Sequence, residues 1–184
     1  YQRSRGLGDV YKRQILIYAS TDPLEAMQLN GDIIVIDEGR ILQTGTAKDV
    51  FENPSNAKVA EITNDPAMNI NRGVIQDNKL ILNSDIQFDL PEQLIKMPSG
   101  KYLVGIRATD LYLDKQGFNF EVDISEISGS ETFLHLHNEN VKCVATLEEV
   151  KTYEVNEKVK INFDLSKIYL FKESGELQHS PYKN

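Results

Sequence analysis

The chain has 184 residues, 40% of them hydrophobic, which is enough for a buried core in one medium domain or two small ones. Its longest apolar runs, such as "IIVI" at 33–36, fall far short of the roughly 18 residues that cross a bilayer, and the N-terminus carries no apolar signal core. With 28 acidic against 20 basic residues, the net charge of −8 disfavours nucleic-acid partners and anionic membrane surfaces, while a single cysteine, Cys143, excludes an internal disulfide and fits the cytoplasm.

Residues 1–14, "YQRSRGLGDVYKRQ", carry Arg3, Arg5, Lys12 and Arg13 against Asp9, a local charge of +3, so the remainder sums to −11. The stretch has neither a helical nor a strand period and resembles the translated sequencing-adaptor peptide that precedes truncated environmental reading frames. It is therefore expected to be a non-native linker, with a native basic arm as the alternative, and the protein's own chain is expected to start near Ile15 inside a larger subunit. The glycines of "RSRGLGDV" lack the lysine and the flanking strand and helix of a phosphate loop.

Next in order, Ile15–Tyr18 reads as a short buried strand and Leu24–Leu29 as a helix. "DIIVIDEGRILQTG" reads as two strands joined at Glu38 and Gly39. Thr46 is placed to cap "AKDVFEN", which must end before Pro54, and Ser55 to cap "NAKVAEIT". These elements make residues 15–68 an α/β segment. After "NDPAMNINRG" alternating runs take over: the hairpin "GVIQDNKLILN", then "KYLVGI", "NFEVDISEI", "TFLHLH", "VKCVATL", "KVKINF" and "KIYLF". Their spacing suits a small all-β barrel over residues 69–184.

Chemistry-bearing residues are few, and most have a plain structural reading. His135 and His137 alternate along one strand and share a face, but no third ligand at metal-site spacing supports them. Cys143 reads as a small buried hydrophobe, and Ser130–Glu131 as a tight turn entering "TFLHL". Arg107 closes a strand and reads as an ion-pairing or carbonyl-binding residue. The polar corner Ser20–Thr21–Asp22 precedes a helix beginning at Pro23 or Leu24, where Ser, Thr and Asp are the preferred caps.

Read together, "YASTDPLEAM", "DIIVIDEGRILQTGTAKDVFENPSN", "DPAMNI", "VGIRATDLYL", "EISGSETFLHL" and "INFDLSKIYLFKESGEL" resemble, in this order, the C-terminal part of ATP-binding subunits of ABC importers for carbohydrates and polyols. The wording of "TDPLEA" and "NDPAMN" is most similar to the glycerol or polyol type. The resemblance implies an α/β remnant of the nucleotide-binding domain followed by an oligonucleotide-fold-like (TOBE) regulatory domain. It also implies that Thr21 stands at the switch position near the γ-phosphate, where the family's usual residue is histidine, with Ser20 and Asp22 beside it. The whole subunit would use ATP and Mg, hydrolyse ATP to drive uptake, and pair with a second ATPase subunit and with permease subunits at the inner face of the membrane. The barrel would engage its twin, a regulatory protein or a small ligand, and no nucleic acid is expected. This chain shows no G-x-x-x-x-G-K-[ST] loop, no ABC signature and no strand ending in the magnesium-binding Asp and catalytic Glu, so alone it is expected to bind no ATP and to be inactive. A stand-alone barrel that takes a small ligand or an oligonucleotide is the alternative.

Overall fold

The computed structural model describes residues 15–29, 31–83 and 86–183. The basic stretch over 1–14 lies outside them. Helix α1 (Pro23–Gln28) leads into the hairpin β1 (Asp32–Asp37) and β2 (Arg40–Thr46), whose turn puts Glu38 at φ 47° and Gly39 at φ 74°. Two positive φ values are what a two-residue turn matched to strand twist demands, and glycine meets that demand without strain. Helices α2 (Ala47–Glu52) and α3 (Ala57–Ile62) follow. Thr46 caps α2 by accepting from the Asp49 amide at 3.1 Å. Asn56, rather than Ser55, caps α3 by accepting from the Val59 amide at 2.9 Å. Ser55 is diverted: its amide donates to Gln43 Oε1 and its hydroxyl to the Leu42 carbonyl.

The expected strand at Ile15–Tyr18 is absent. These residues form no regular element and have no ladder partners among the described residues, and Ile15, Leu16 and Ile17 are 94%, 86% and 89% exposed. A four-residue apolar run becomes a strand only when a neighbouring edge pairs its amides and carbonyls.

From Asn69 onward the chain is mostly β. A six-stranded antiparallel sheet has the order β12-β11-β6-β3-β4-β5, and a four-stranded one the order β10-β7-β8-β9. The first contains β3 (Asn69–Gln76), β4 (Lys79–Leu82), β5 (Ile86–Asp89), β6 (Gly100–Ile106), β11 (Tyr169–Phe171) and β12 (Leu177–His179). The second contains β7 (Leu111–Ser128), β8 (Glu131–His137), β9 (Lys142–Leu147) and β10 (Lys158–Phe163). The inward residues of both sheets form one core that includes Leu80, Val104, Phe120, Leu134, Ile161 and Leu170. Asn69 ties the sheets at one corner: its amide group donates to the Val144 carbonyl and accepts from the Val144 N–H, at 2.9 and 2.7 Å, as a strand backbone would.

Strand β7 is 18 residues long and changes register against β10 between Lys160 and Ile161. Gly117 lies at that irregularity, where a Cβ would sit 2.6 Å from the carbonyl carbon and oxygen of Ile161. Backbone cannot yield as a side chain does. We therefore expect Gly117→Ala to lower stability by about 1–3 kcal/mol, read as a shift in chemical denaturation midpoint with unchanged m-value.

Candidate functional site

The corner at residues 20–22 is built by helix capping. Asp22 has extended backbone, and its Oδ1 accepts from the Leu24 amide at 2.8 Å and the Glu25 amide at 3.3 Å, which starts α1. Ser20 Oγ donates to Glu25 Oε2 at 2.6 Å and accepts from the Asp22 amide at 3.0 Å. Tyr18 donates its phenol to the same Glu25 oxygen at 3.0 Å, and this hydrogen bond raises the Tyr18 pKa above its ordinary value. Asp22 and Glu25 have the spacing of a capping box, but Glu25 is occupied by two side-chain hydroxyls. Sequence reasoning singled out neither Tyr18 nor Glu25, although the D-x-x-E spacing was visible.

Thr21 stands apart from this network. It is exposed, and among the described residues its hydroxyl has no hydrogen-bond partner. The corner therefore offers one uncommitted hydroxyl donor beside a carboxylate already used as a cap. A nucleoside triphosphate needs a cradle of amides and a lysine, and its magnesium needs oxygen ligands. Residues 20–22 alone fit neither.

Helix α1 borders an open, mostly apolar groove of about 400 Å³ whose walls include Leu24, Met27, Phe51, Pro66 and Arg107. Arg107, which lines this groove, is only 5% exposed. Its Nη2 donates to the Phe51 carbonyl at 2.7 Å and its Nε to Asn64 Oδ1 at 2.9 Å. The guanidinium also lies 3.8 Å from the centroid of Phe51, with Tyr169 at 4.9 Å and Tyr182 at 5.6 Å. The carbonyl-binding reading of Arg107 thus holds in detail, and the carbonyl belongs to the α/β segment.

The other candidate residues have neighbours of their own within the fold. His137 Nδ1 is 2.8 Å from Asp123 Oδ1, and His135 Nε2 is 3.8 Å from Glu126 Oε2. Among the described residues no group of three or more His, Cys, Asp or Glu side chains is arranged to hold a metal ion. Cys143 is buried, and desolvation pushes its thiol up to about 12, far from a reactive thiolate. Gly129 and Ser130 form the β7–β8 turn, with Ser128 paired to Glu131. Among the described residues no helix is long and apolar enough to cross a membrane.

No family model matches the chain. Its relatives among known proteins are ABC transporter ATP-binding proteins. It is 28% identical over 171 residues to the ABC transporter ATP-binding protein YcjV of Escherichia coli, covering 88% of this chain and 47% of that protein. It is 26% identical over 176 residues to the oligosaccharides import ATP-binding protein MsmX of Bacillus subtilis, covering 88% of this chain and 48% of that one. It is also 26% identical over 168 residues to the sn-glycerol-3-phosphate import ATP-binding protein UgpC of Brucella abortus, covering 86% and 45%. The chain spans about half the length of the curated relatives it matches.

The two polar side chains of the corner separate experimentally. Asp22→Ala should remove the α1 cap and cost about 0.5–2 kcal/mol of local stability, seen as faster hydrogen exchange at the amides of residues 24–28. Thr21→Ala should leave those rates unchanged.

Proposed function

Taking as premise its kinship with ABC transporter ATP-binding proteins, we propose that the chain is the C-terminal part of the ATP-binding subunit of an ABC importer for a sugar or polyol. Residues 15–68 would close the nucleotide-binding domain, and residues 69–184 would be the oligonucleotide-fold-like regulatory domain. One observation carries this reading. The β1–β2 hairpin buries only one face: Val35 packs with Val50 and Val59 while Ile33 and Leu42 flank them. Its opposite face leaves Ile34, Ile36 and Ile41 at 56%, 59% and 64% exposure. Three isoleucines side by side on a two-stranded sheet make a surface that a complete domain covers, and such a sheet is marginal in water by itself. On this reading the missing cover would be the rest of an ATPase domain. Ile15–Ile17 would then be a strand of that domain's sheet.

In the whole subunit the exposed Thr21 would point toward nucleotide held by the remainder of the site and by a second ATPase subunit. Its hydroxyl can donate one hydrogen bond, yet it is shorter than imidazole and uncharged. ATP and Mg would be held by residues outside this chain, permease subunits would supply the path through the membrane, and the β part would contact its twin or a regulator. The subunit would work at the cytoplasmic face of that complex.

Recovering the coding sequence upstream of Ile15 tests the reading directly: it should encode G-x-x-x-x-G-K-[ST] on a strand–loop–helix, and a different upstream sequence refutes it. Given that extended subunit, Ile36→Asp should cost about 2 kcal/mol or more, because it buries a charge. In the 184-residue chain the same change should stay within about 0.5 kcal/mol. Equal effects in the two would show that the isoleucine face has no cover.

Thr21→His in the extended subunit should raise ATP turnover by about 100-fold or more while leaving equilibrium nucleotide affinity nearly unchanged, since a donor of this kind acts on the transition state. Steady-state hydrolysis measured beside a binding titration decides it. If the unmodified subunit already runs at the rate of the histidine variant, Thr21 has no switch role.

A further inference from the structure

The outer face of the six-stranded sheet is covered over part of its width only. Helix α3 brings Ala57 and Ala60 against Met68, Tyr169 and Phe171, with Ile70, Leu103 and Leu177 packed around them. Beyond Leu103 the face is open. There a basin of about 510 Å³ lies over β3, β4 and β6, with Glu173 of the β11–β12 turn at its rim.

The alternation of β3 and β6 determines what faces this basin. Ile75 and Leu80 point into the core, so Arg72, Val74 and Gln76 on β3 and Ile81 on β4 take the other face. Arg72 is paired with Leu103, and Val74 with Lys101 on one side and Ile81 on the other. Arg72 and Lys101 are thus diagonal neighbours across one strand pair, with β-carbons about 7–8 Å apart. Their long side chains can converge on a single group between them. Half-buried Val74, Ile81 and Leu103 form an apolar floor beneath.

Among the described residues neither Arg72 nor Lys101 has a carboxylate within 4.0 Å, so both charges are uncommitted. The ion pairs of Lys58, Lys158 and Lys172 lie elsewhere. Gln76 and Gln87 add two side-chain amides with no hydrogen-bond partner among the described residues. Two adjacent unpaired cations, free amides and an apolar floor in one concavity are complementary to a small anion that carries a carbon skeleton. Glu173 disfavours a second negative group at its rim and can accept from a hydroxyl there.

We propose that this basin binds a small hydroxylated organic phosphate, its phosphate held between Arg72 and Lys101, its carbon skeleton on Val74, Ile81 and Leu103, and a hydroxyl toward Glu173. The proposal is independent of the ATPase reading. Leu103 belongs both to the basin floor and to the cluster that seats α3, so an occupied basin touches the contact between the α/β segment and the β sheets.

The test titrates the 184-residue chain with glycerol 3-phosphate and glucose 6-phosphate, beside glycerol, glucose and inorganic phosphate, by calorimetry and by amide chemical shifts. A saturable response to at least one organic phosphate is expected, with shifts centred on Gly73, Val74, Ile81 and Leu103 and none for the neutral polyols. Arg72→Gln and Lys101→Gln should each weaken binding about tenfold, the size of one charge-assisted contact. Both side chains are exposed, and an unchanged melting temperature without ligand confirms that the variants are folded. Glu173→Gln should leave inorganic phosphate binding intact or tighten it. Absence of saturation, shifts centred elsewhere, or binding that survives in the double variant Arg72→Gln/Lys101→Gln overturns the proposal.

Discussion

The structure depends on a buried guanidinium. Arg107 follows β6 directly and reaches out of the β part to the Phe51 carbonyl near the end of α2 and to Asn64 just beyond α3. Phe51, Tyr169 and Tyr182 surround its charge with ring faces, which stabilise a desolvated cation by about 0.5–2 kcal/mol each. Lysine could not replace it, because the contact uses a planar fork with separate donors aimed at two acceptors. Around this point the two parts exchange backbone hydrogen bonds as well. The Ala57 amide donates to the Gly175 carbonyl, the Leu177 amide to the Ser55 carbonyl, and Ser180 Oγ to the Glu52 carbonyl. The α/β segment is therefore held on the flank of the β sheets by specific polar contacts as well as by the apolar seat of α3 on Tyr169 and Phe171.

That attachment explains how so small an α/β segment stays ordered. Its own core is three buried valines with four half-buried neighbours, far less than 50 residues need to offset their conformational entropy. The shortfall is met by the β part on one side and left unmet on the other, where the isoleucine face of the hairpin is open. Under the proposed function, the open side is where the rest of the nucleotide site attaches, and α1 with its Thr21 corner lies at that border. The β part would then act as a platform that holds the end of the ATPase domain in place, and the half-covered outer sheet face beside α3 is where a small ligand could bear on that hold.

Local patterns made much of this visible in advance. Alternation in "GVIQDNKLILN", "KYLVGI", "TFLHLH" and "KVKINF" located strands that form, because each has one face buried and polar or turn residues at its ends. Strand β5 and the full length of β7 escaped notice, since "IQFD" is too short to show a period and β7 runs through Gly117 and several charged residues without a break. The cap of α3 was misplaced by one residue because Ser55 and Asn56 are equally good caps locally, and only the contact of Ser55 with Gln43 and Leu42 decides between them. The apolar run at Ile15–Tyr18 is the opposite case: hydrophobicity points to a buried strand, but the run is exposed and unpaired because a strand also needs a partner edge.

The sequence by itself determined the change from α/β to β character, the Thr46 cap of α2, the turn at Glu38–Gly39 and the candidacy of residues 20–22, because each of these is set by neighbours within a few positions along the chain. The tertiary structure alone decided that Asn56 rather than Ser55 caps α3, that Arg107 joins two parts separated by more than 40 residues, and that Arg72 and Lys101 share an open basin. Those outcomes rest on strand register and on which faces meet across the core. Both are fixed by long-range packing, which no local run of residues encodes.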